Sequence, residues 1–156
     1  NLLGFGAMIN ACDANSLGVL EELLSRGVNI SQLLHTTASS RGGATQITRR
    51  LIELRANIDE RYQFRWLTPF GSLVALQSLR YRCGTDTALT HGSYHLFGST
   101  PLMLALLRGN YETATILLRE GARLDLRNLR KFSAADLAQG APELLQEILK
   151  GDSVYC

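Results

Sequence analysis

The sequence is poor in proline and lacks a long apolar run. It has three prolines and 14 glycines among 156 residues, which excludes collagen-like and proline-rich low-complexity classes. Its unbroken apolar runs last a few residues, whereas a membrane-spanning helix needs about 18–20. The sequence therefore predicts no transmembrane segment.

Cysteine is scarce as well. Cys12, Cys83 and Cys156 are an odd number at distant, irregular spacings, which does not make a disulfide framework and favours a reducing compartment (cytoplasmic, nuclear or organelle interior). The chain begins at Asn1, with neither a methionine nor a basic residue before Phe5. We therefore expect a processed or trimmed product, and the sequence does not predict its compartment.

Lysine is the third residue type in short supply, since two of the 16 basic residues are lysines. The net charge is +2, but eight arginines face three acidic residues between Arg41 and Cys83. Arginine makes planar, bidentate contacts where lysine acts as a point charge, so this bias favours interface chemistry. With 46% hydrophobic and 19% charged residues, the composition predicts a folded domain.

A pattern of two helices per unit recurs along the chain. In its clearest copy, Thr100 can cap a helix and Pro101 suits the first helical position. Gly109 and Gly121 suit the left-handed ends of that helix and of the next one. Ala105 is small enough to let a neighbouring helix approach. Because neither helix can bury its apolar face alone, we expect such units to stack.

The spacing of the copies supports a repeat. Thr68-Pro69 precedes Thr100-Pro101 by 32 residues, and Ser133 follows Thr100 by 33. Arg55 and Gly121, which end equivalent helices, are 66 residues apart. A period near 33 with two helices per unit is typical of ankyrin repeats. The sequence resembles that family most clearly over 98–128, with Met103 where the family most often has histidine.

The resemblance implies an all-α fold, a short ankyrin-like solenoid with a remodelled third unit and a C-terminal cap. We expect a single domain over 1–156, with units at about 6–30, 31–59, 60–97 and 98–127 and the cap at 128–150. The third unit lacks a clear second helix. We expect one long helix from Thr68-Pro69 to about Arg82, followed by an irregular loop over 85–97.

Three sets of residues are candidates for a chemical site. His91 and His95 could share a metal with Cys83, but Gly92 interrupts them and no fourth ligand follows. His35 precedes several hydroxyl residues, yet no nucleophile elbow is present. The 41–45 stretch lacks the lysine of a phosphate loop. We therefore expect no metal site, no cofactor and no enzymatic activity.

In ankyrin families, the extended turns and the exposed side of each first helix usually hold the partner. Most of the residues at matching positions here are leucine or phenylalanine, with arginines beside them. This strip comprises Phe64, Arg65, Leu67, Leu96, Phe97, Ser99, Leu107, Arg108, Leu129, Arg130 and Phe132. An exposed apolar strip rimmed by charge marks an interaction site. We expect a persistent protein partner with an apolar surface, and a role as scaffold, adaptor or peripheral subunit.

Three alternatives stay open at this point. The 84–97 segment could fold over the strip and cover it. The arginine-rich region from Arg41 to Arg82, with its interleaved aromatics, could instead bind nucleic acid. A degenerate enzyme domain is a third hypothesis.

Overall fold

Nine helices lie among the described residues of the computed structural model, which are 16–27, 30–40, 44–63, 69–138 and 140–151. No described helix has both the length and the apolar character needed to cross a membrane. The helices are α1 (Leu17–Ser25), α2 (Ile30–Ser39), α3 (Thr45–Glu53), α4 (Pro69–Arg82), α5 (Ala88–His95), α6 (Pro101–Arg108), α7 (Tyr111–Arg119), α8 (Ala134–Leu137) and α9 (Glu143–Gly151).

Helix α6 begins and ends where the sequence predicts. The Thr100 hydroxyl accepts a hydrogen bond from the Met103 N–H at 3.4 Å, and Pro101 occupies the first turn. Gly109 ends the helix in the left-handed region, with φ 72°. A residue with a Cβ would be strained in that conformation. These three local signals mark where the helix begins and where it ends.

The helices pack as pairs in sequential order. Helix α2 packs against α3, α6 against α7, and α8 against α9. Between pairs, α2 packs directly against α6, α3 against α7, and α6 against α8. Every residue of α6 from Pro101 to Leu106 is buried, because helices lie on both sides of it. The all-α fold and the short helical-repeat architecture are thereby confirmed.

A buried amide joins two of these pairs. The Asn110 side-chain N–H groups donate to the backbone carbonyls of Thr37 and Ser40, each at 3.2 Å. The Asn110 side-chain oxygen accepts from the Thr113 N–H at the start of α7. A buried amide with donors and acceptor both used rigidifies its surroundings. Asn110 therefore fixes the register between α2 and the α6–α7 pair.

The expected irregular loop over 85–97 is wrong, because residues 88–95 form helix α5. A capping box starts it: the Thr90 N–H donates to the Thr87 hydroxyl at 3.2 Å, and the Thr87 N–H donates to the Thr90 hydroxyl at 2.9 Å. These two bonds satisfy backbone donors that a helix start would otherwise leave unpaired. That local gain outweighs the poor helix propensity of Gly92.

Helices α4 and α5 pack mainly against each other and form a hairpin, defined here as residues 69–95. The Tyr62 N–H donates to the Ser99 carbonyl at 2.9 Å, and the Gly98 N–H donates to the Tyr62 carbonyl at 3.3 Å. The chain therefore leaves the row of helix pairs near residue 62 and rejoins it at 98–99, at the same place.

Candidate functional site

The structure divides the predicted partner-binding residues into three groups. Phe64, Arg65 and Leu67 lie outside the described residues. Phe97 and Ser99 are buried, at 3% and 0% exposure, so the expectation that they lie on an exposed strip is wrong. The remaining residues are exposed or partly exposed: Leu96, Leu107, Arg108, Leu129, Arg130 and Phe132. Whether any of them binds a partner stays a prediction.

Phe97 and Ser99 are buried because backbone from two neighbouring segments converges on them. The Ser99 hydroxyl donates to the carbonyl of His95, and the Phe97 carbonyl accepts from the Leu129 N–H at 3.0 Å. Ser99 therefore holds the end of α5, and Phe97 holds the turn that carries Leu129.

Asn128 builds the turn that carries Leu129 and Arg130. Its side-chain oxygen accepts from the N–H groups of Arg130 and Phe132 at 2.9 and 3.0 Å. Its amide nitrogen donates to the His95 carbonyl at 3.2 Å. Because Asn128 is buried and fully used, the turn is rigid and projects Leu129, which is 69% exposed. The sequence analysis missed Asn128, although Asn at the start of a turn is a common signal.

Aromatic rings of the hairpin pack against the end of the same turn. The His95 ring lies 4.7 Å from the Phe132 ring and 5.0 Å from the Tyr94 ring, both edge-on. The Tyr81 and Tyr94 rings are 4.8 Å apart. Edge-to-face and tilted rings at these separations attract one another beyond simple area burial. The part of the predicted strip at Phe132 is thus covered by His95. This agrees with the alternative that the 84–97 segment folds over the strip.

Arg130 also contacts the hairpin. Its guanidinium lies 4.5 Å from the centre of the Tyr94 ring, and its Nη2 donates to the Ser78 hydroxyl at 3.4 Å. The arrangement is a cation–π contact with a partly buried partner. Arg130 therefore fastens the turn to both helices of the hairpin.

His95 is the strongly perturbed titratable group of this cluster. Burial lowers its pKa to about 4, with smaller contributions from His91 and Arg130. Its imidazole is therefore neutral near pH 7, and its buried Nδ1 has no hydrogen-bond partner among the described residues. The described residues contain no group of three or more His, Cys, Asp and Glu side chains suited to a metal.

A cleft of about 590 Å³ separates the hairpin from the row of helix pairs. At one wall the Arg108 guanidinium approaches Gly92 so closely that an added Cβ would lie 3.0 Å from its Cζ. The lining combines aromatic, apolar and polar groups, with Arg108 and Asp136 as its charged members: Tyr81, His91, Tyr94, His95, Leu106, Leu107, Arg108, Gly109, Tyr111, Phe132, Asp136, Leu137 and Gly140.

His35, the histidine weighed for catalysis, supports the turns instead. Its Nε2 lies 2.9 Å from the Glu60 carbonyl and 3.3 Å from the Ser99 carbonyl, and its ring meets the Tyr62 ring edge-on at 5.5 Å. The Nε2 is directed at backbone acceptors in a buried setting. His35 therefore braces the connection between residues 60 and 99.

The arginine-rich region is spread over several elements. Arg50 pairs with Glu21 at 2.9 Å and with Glu53 at 3.1 Å, and these bonds, Glu21 first, raise its pKa. Arg80 and Arg82 lie on the hairpin, and Arg41 and Arg65 lie outside the described residues. Part of the positive charge counted in the sequence is thus neutralised within the fold.

Comparison with known families places one match on this region. An ankyrin-repeat family model matches residues 97–129, which span α6, α7 and the chain up to Leu129. Ankyrin repeats are typically non-catalytic and generally bind proteins. No curated protein matches the chain.

Proposed function

We propose that the chain is a non-catalytic protein–protein interaction module, acting as a scaffold, an adaptor or a peripheral subunit of a larger assembly. The observation that carries the proposal is the turn at 128–132, next to the end of the ankyrin repeat. Asn128 locks this turn from below, and Leu129 projects from it with most of its side chain in solvent. A single exposed leucine is ordinary, but one presented on a rigid turn binds a partner at a smaller entropic cost than one on a mobile segment.

The proposed contact surface keeps the accessible part of the predicted strip. Leu129 stands at its tip, and Leu107 and Arg108 lie at the end of α6. Leu96, Arg130 and Phe132 are partly exposed, and of these Arg130 and Phe132 also contact the hairpin. A surface that combines leucines with phenylalanine and arginine suits a protein partner, because aromatic and arginine side chains are enriched at protein interfaces.

Affinity capture from a native extract tests the proposal. Wild-type chain is compared with Leu129→Asp, and Ile148→Asp on α9 serves as the matched control, because Ile148 is 50% exposed on another element. We expect a set of proteins to be lost with Leu129→Asp and kept with Ile148→Asp. Identical protein sets for all three chains would discard the surface.

A salt series on the captured complex distinguishes the class of partner. Apolar docking changes little with salt, whereas nucleic-acid binding weakens steeply because counterions are released on binding. We expect the captured proteins to remain bound between roughly 50 and 200 mM salt. Loss of the complex over this range, with recovered nucleic acid, would favour the basic region instead.

A further inference from the structure

The outer face of helix α4 carries an apolar stripe. Leu73, Leu76 and Leu79 are each just over half exposed, at 51%, 54% and 54%. They recur every three residues and so fall on one side of the helix. Exposed leucines scattered singly are ordinary, but a contiguous set on one helix face marks an interaction site.

The opposite side of α4 packs against the rest of the protein. Val74 and Ser78 are buried there, and the Tyr81 ring on the same side contacts the rings of Tyr94 and His95. The leucine stripe is therefore not the packing face of the hairpin. Among the described residues, α4 makes its main contacts with α5, which lies on the buried side.

The hairpin holds the stripe in a fixed position. Arg130 bonds to Ser78 and stacks on Tyr94, Asn128 bonds to the His95 carbonyl, and Arg108 packs on Gly92. Each helix of the hairpin is thereby tied to the ankyrin repeat or to the turn beside it. A stripe on a rigid support binds with a smaller entropic cost than one on a mobile segment.

Charge beside the stripe limits what can cover it. Arg80 is exposed one turn after Leu76 on the same side, and Arg82 is exposed nearby. Among the described residues neither arginine forms an ion pair, and the described part of α4 has no carboxylate. A second copy docked about a two-fold axis would set this patch against itself. Like charges would then meet beside the apolar contact, which disfavours such a dimer.

We propose that the Leu73–Leu76–Leu79 stripe is a second docking surface and that it takes an amphipathic helix whose apolar face is flanked by acidic residues. The proposal rests on the proposed function as an interaction module, but it concerns a different face. The hairpin contacts Arg108, Arg130 and Phe132, which stay exposed or partly exposed, and it presents the stripe outward. The partner helix needs about two turns to match the stripe, because the three leucines cover about 9 Å of α4.

Selection from a displayed peptide library tests the proposal on the full chain. The library consists of amphipathic helical peptides with a fixed leucine face and with flanking positions varied among Glu, Gln and Lys. We expect the recovered peptides to carry Glu at the flanks. Their affinity falls at least tenfold with Leu76→Asp and is unchanged with Ile148→Asp, a matched exposed apolar residue on α9.

Charge reversal provides the second arm. With Arg80→Glu, we expect Glu-flanked peptides to weaken and Lys-flanked peptides to be selected in their place. Circular dichroism of each variant shows that it is folded, which is expected because both substituted side chains are exposed. Recovery of no peptide, of peptides without charge preference, or of peptides that bind Leu76→Asp equally well would overturn the proposal.

Light scattering on the free chain distinguishes a second copy from a partner helix. We expect a monomer at micromolar concentration. A dimer that dissociates with Leu76→Asp would make a second copy the occupant and overturn the proposal. Loss of captured partners with Leu129→Asp, together with a stripe that binds no peptide, would retain the proposed function and reject this inference alone.

Discussion

The α6–α7 pair and the α4–α5 hairpin are both helix pairs, and both open on a Thr-Pro dipeptide in the sequence. In α6 six consecutive residues are buried, whereas α4 leaves three leucines more than half exposed. Local side-chain caps start α5, α6 and α7. The degree of burial follows from neighbours, since α6 has helices on both sides and α4 packs mainly against α5.

The difference shows that local chemistry and position in the fold are separate sources of information. Thr100 and Thr87 both cap a helix with a side-chain hydroxyl. Helix α6, which Thr100 caps, lies at the centre of the row, whereas α5, which Thr87 caps, lies outside it.

The largest contrast concerns leucines. Leu117 on α7 is fully buried, whereas Leu76 on α4 is not. Leu117→Ala should lower the free energy of unfolding by about 3 kcal/mol, because it removes buried methyl groups and leaves a cavity. Leu76→Ala should cost less than about 0.5 kcal/mol, as is usual for surface sites. Urea denaturation measures both free energies of unfolding. Equal losses of stability would contradict the difference in burial between Leu117 and Leu76.

The second prediction concerns pH and the contact between the hairpin and the turn. The pKa of His95 is about 4 in the fold, below the ordinary histidine value of about 6.5. As pH falls, His95 is protonated in the unfolded chain before it is protonated in the folded chain. The free energy of unfolding therefore decreases as pH drops from about 6.5 towards 4. Relative to His95→Phe, the wild type should lose about 2 kcal/mol over this range.

Urea denaturation at several pH values measures this difference. Groups other than His95 titrate in both chains, so their effect cancels in the comparison. Phenylalanine is a suitable replacement because the His95 ring contacts Phe132 and Tyr94, and its Nδ1 makes no hydrogen bond within the described part of the chain. A pH dependence shared equally by both chains would show that His95 is not held neutral by burial.

The third prediction compares two left-handed glycines. Gly98 has φ 70°, and a Cβ there would lie 2.9 Å from the Leu129 Cγ and 3.2 Å from the Leu129 nitrogen. Gly121 has φ 85° with open space around it. Gly121→Ala should cost about 1 kcal/mol of stability from backbone strain alone. Gly98→Ala should cost about 1.5 kcal/mol, because the turn must also shift.

Thermal or urea denaturation of both glycine variants provides the measurement. The larger cost at Gly98 depends on close packing between residues 98 and 129. If Gly121→Ala proved as costly as Gly98→Ala or more so, the two turns would not be in contact as described.

The fourth prediction compares the two caps. Removing an N-cap hydroxyl costs about 1 kcal/mol. With Thr100→Ala we expect this loss in global stability, since α6 lies at the centre of the row. With Thr87→Ala we expect faster amide exchange within α5 and a smaller change in the global urea midpoint. An equal change in the midpoint would place both helices in one cooperative unit.

Much of the ankyrin repeat could be predicted from the sequence. Thr100, Pro101 and Gly109 set the bounds of α6 by local chemistry that spacing reveals. Helix α5 was missed because its capping box uses Thr90 in place of the usual Glu or Gln. The burial of Ser99 was missed because it depends on the carbonyl of His95, and no periodicity in the sequence encodes that contact.

The position of the hairpin could not be predicted from spacing. Thr68 precedes Thr100 by 32 residues, close to one repeat period, so the segment was assigned to a unit of the row. Helix α2 packs directly on α6. The spacing of the sequence motifs does not predict this tertiary contact, because it would be the same if the hairpin lay between the two helices. The boundaries of the individual units stay a prediction.

Native-state hydrogen exchange at increasing urea concentration tests most directly whether the hairpin stands outside the row. The amides of Val74 and Ser78 in α4 should exchange through an opening well below the global free energy of unfolding. Those of Leu104 and Leu117 should exchange only through global unfolding, because α2 and α3 remain packed on α6 and α7 when the hairpin opens. If all four amides exchanged through one opening with a single urea dependence, the hairpin would be an integral member of the row and the account would be wrong.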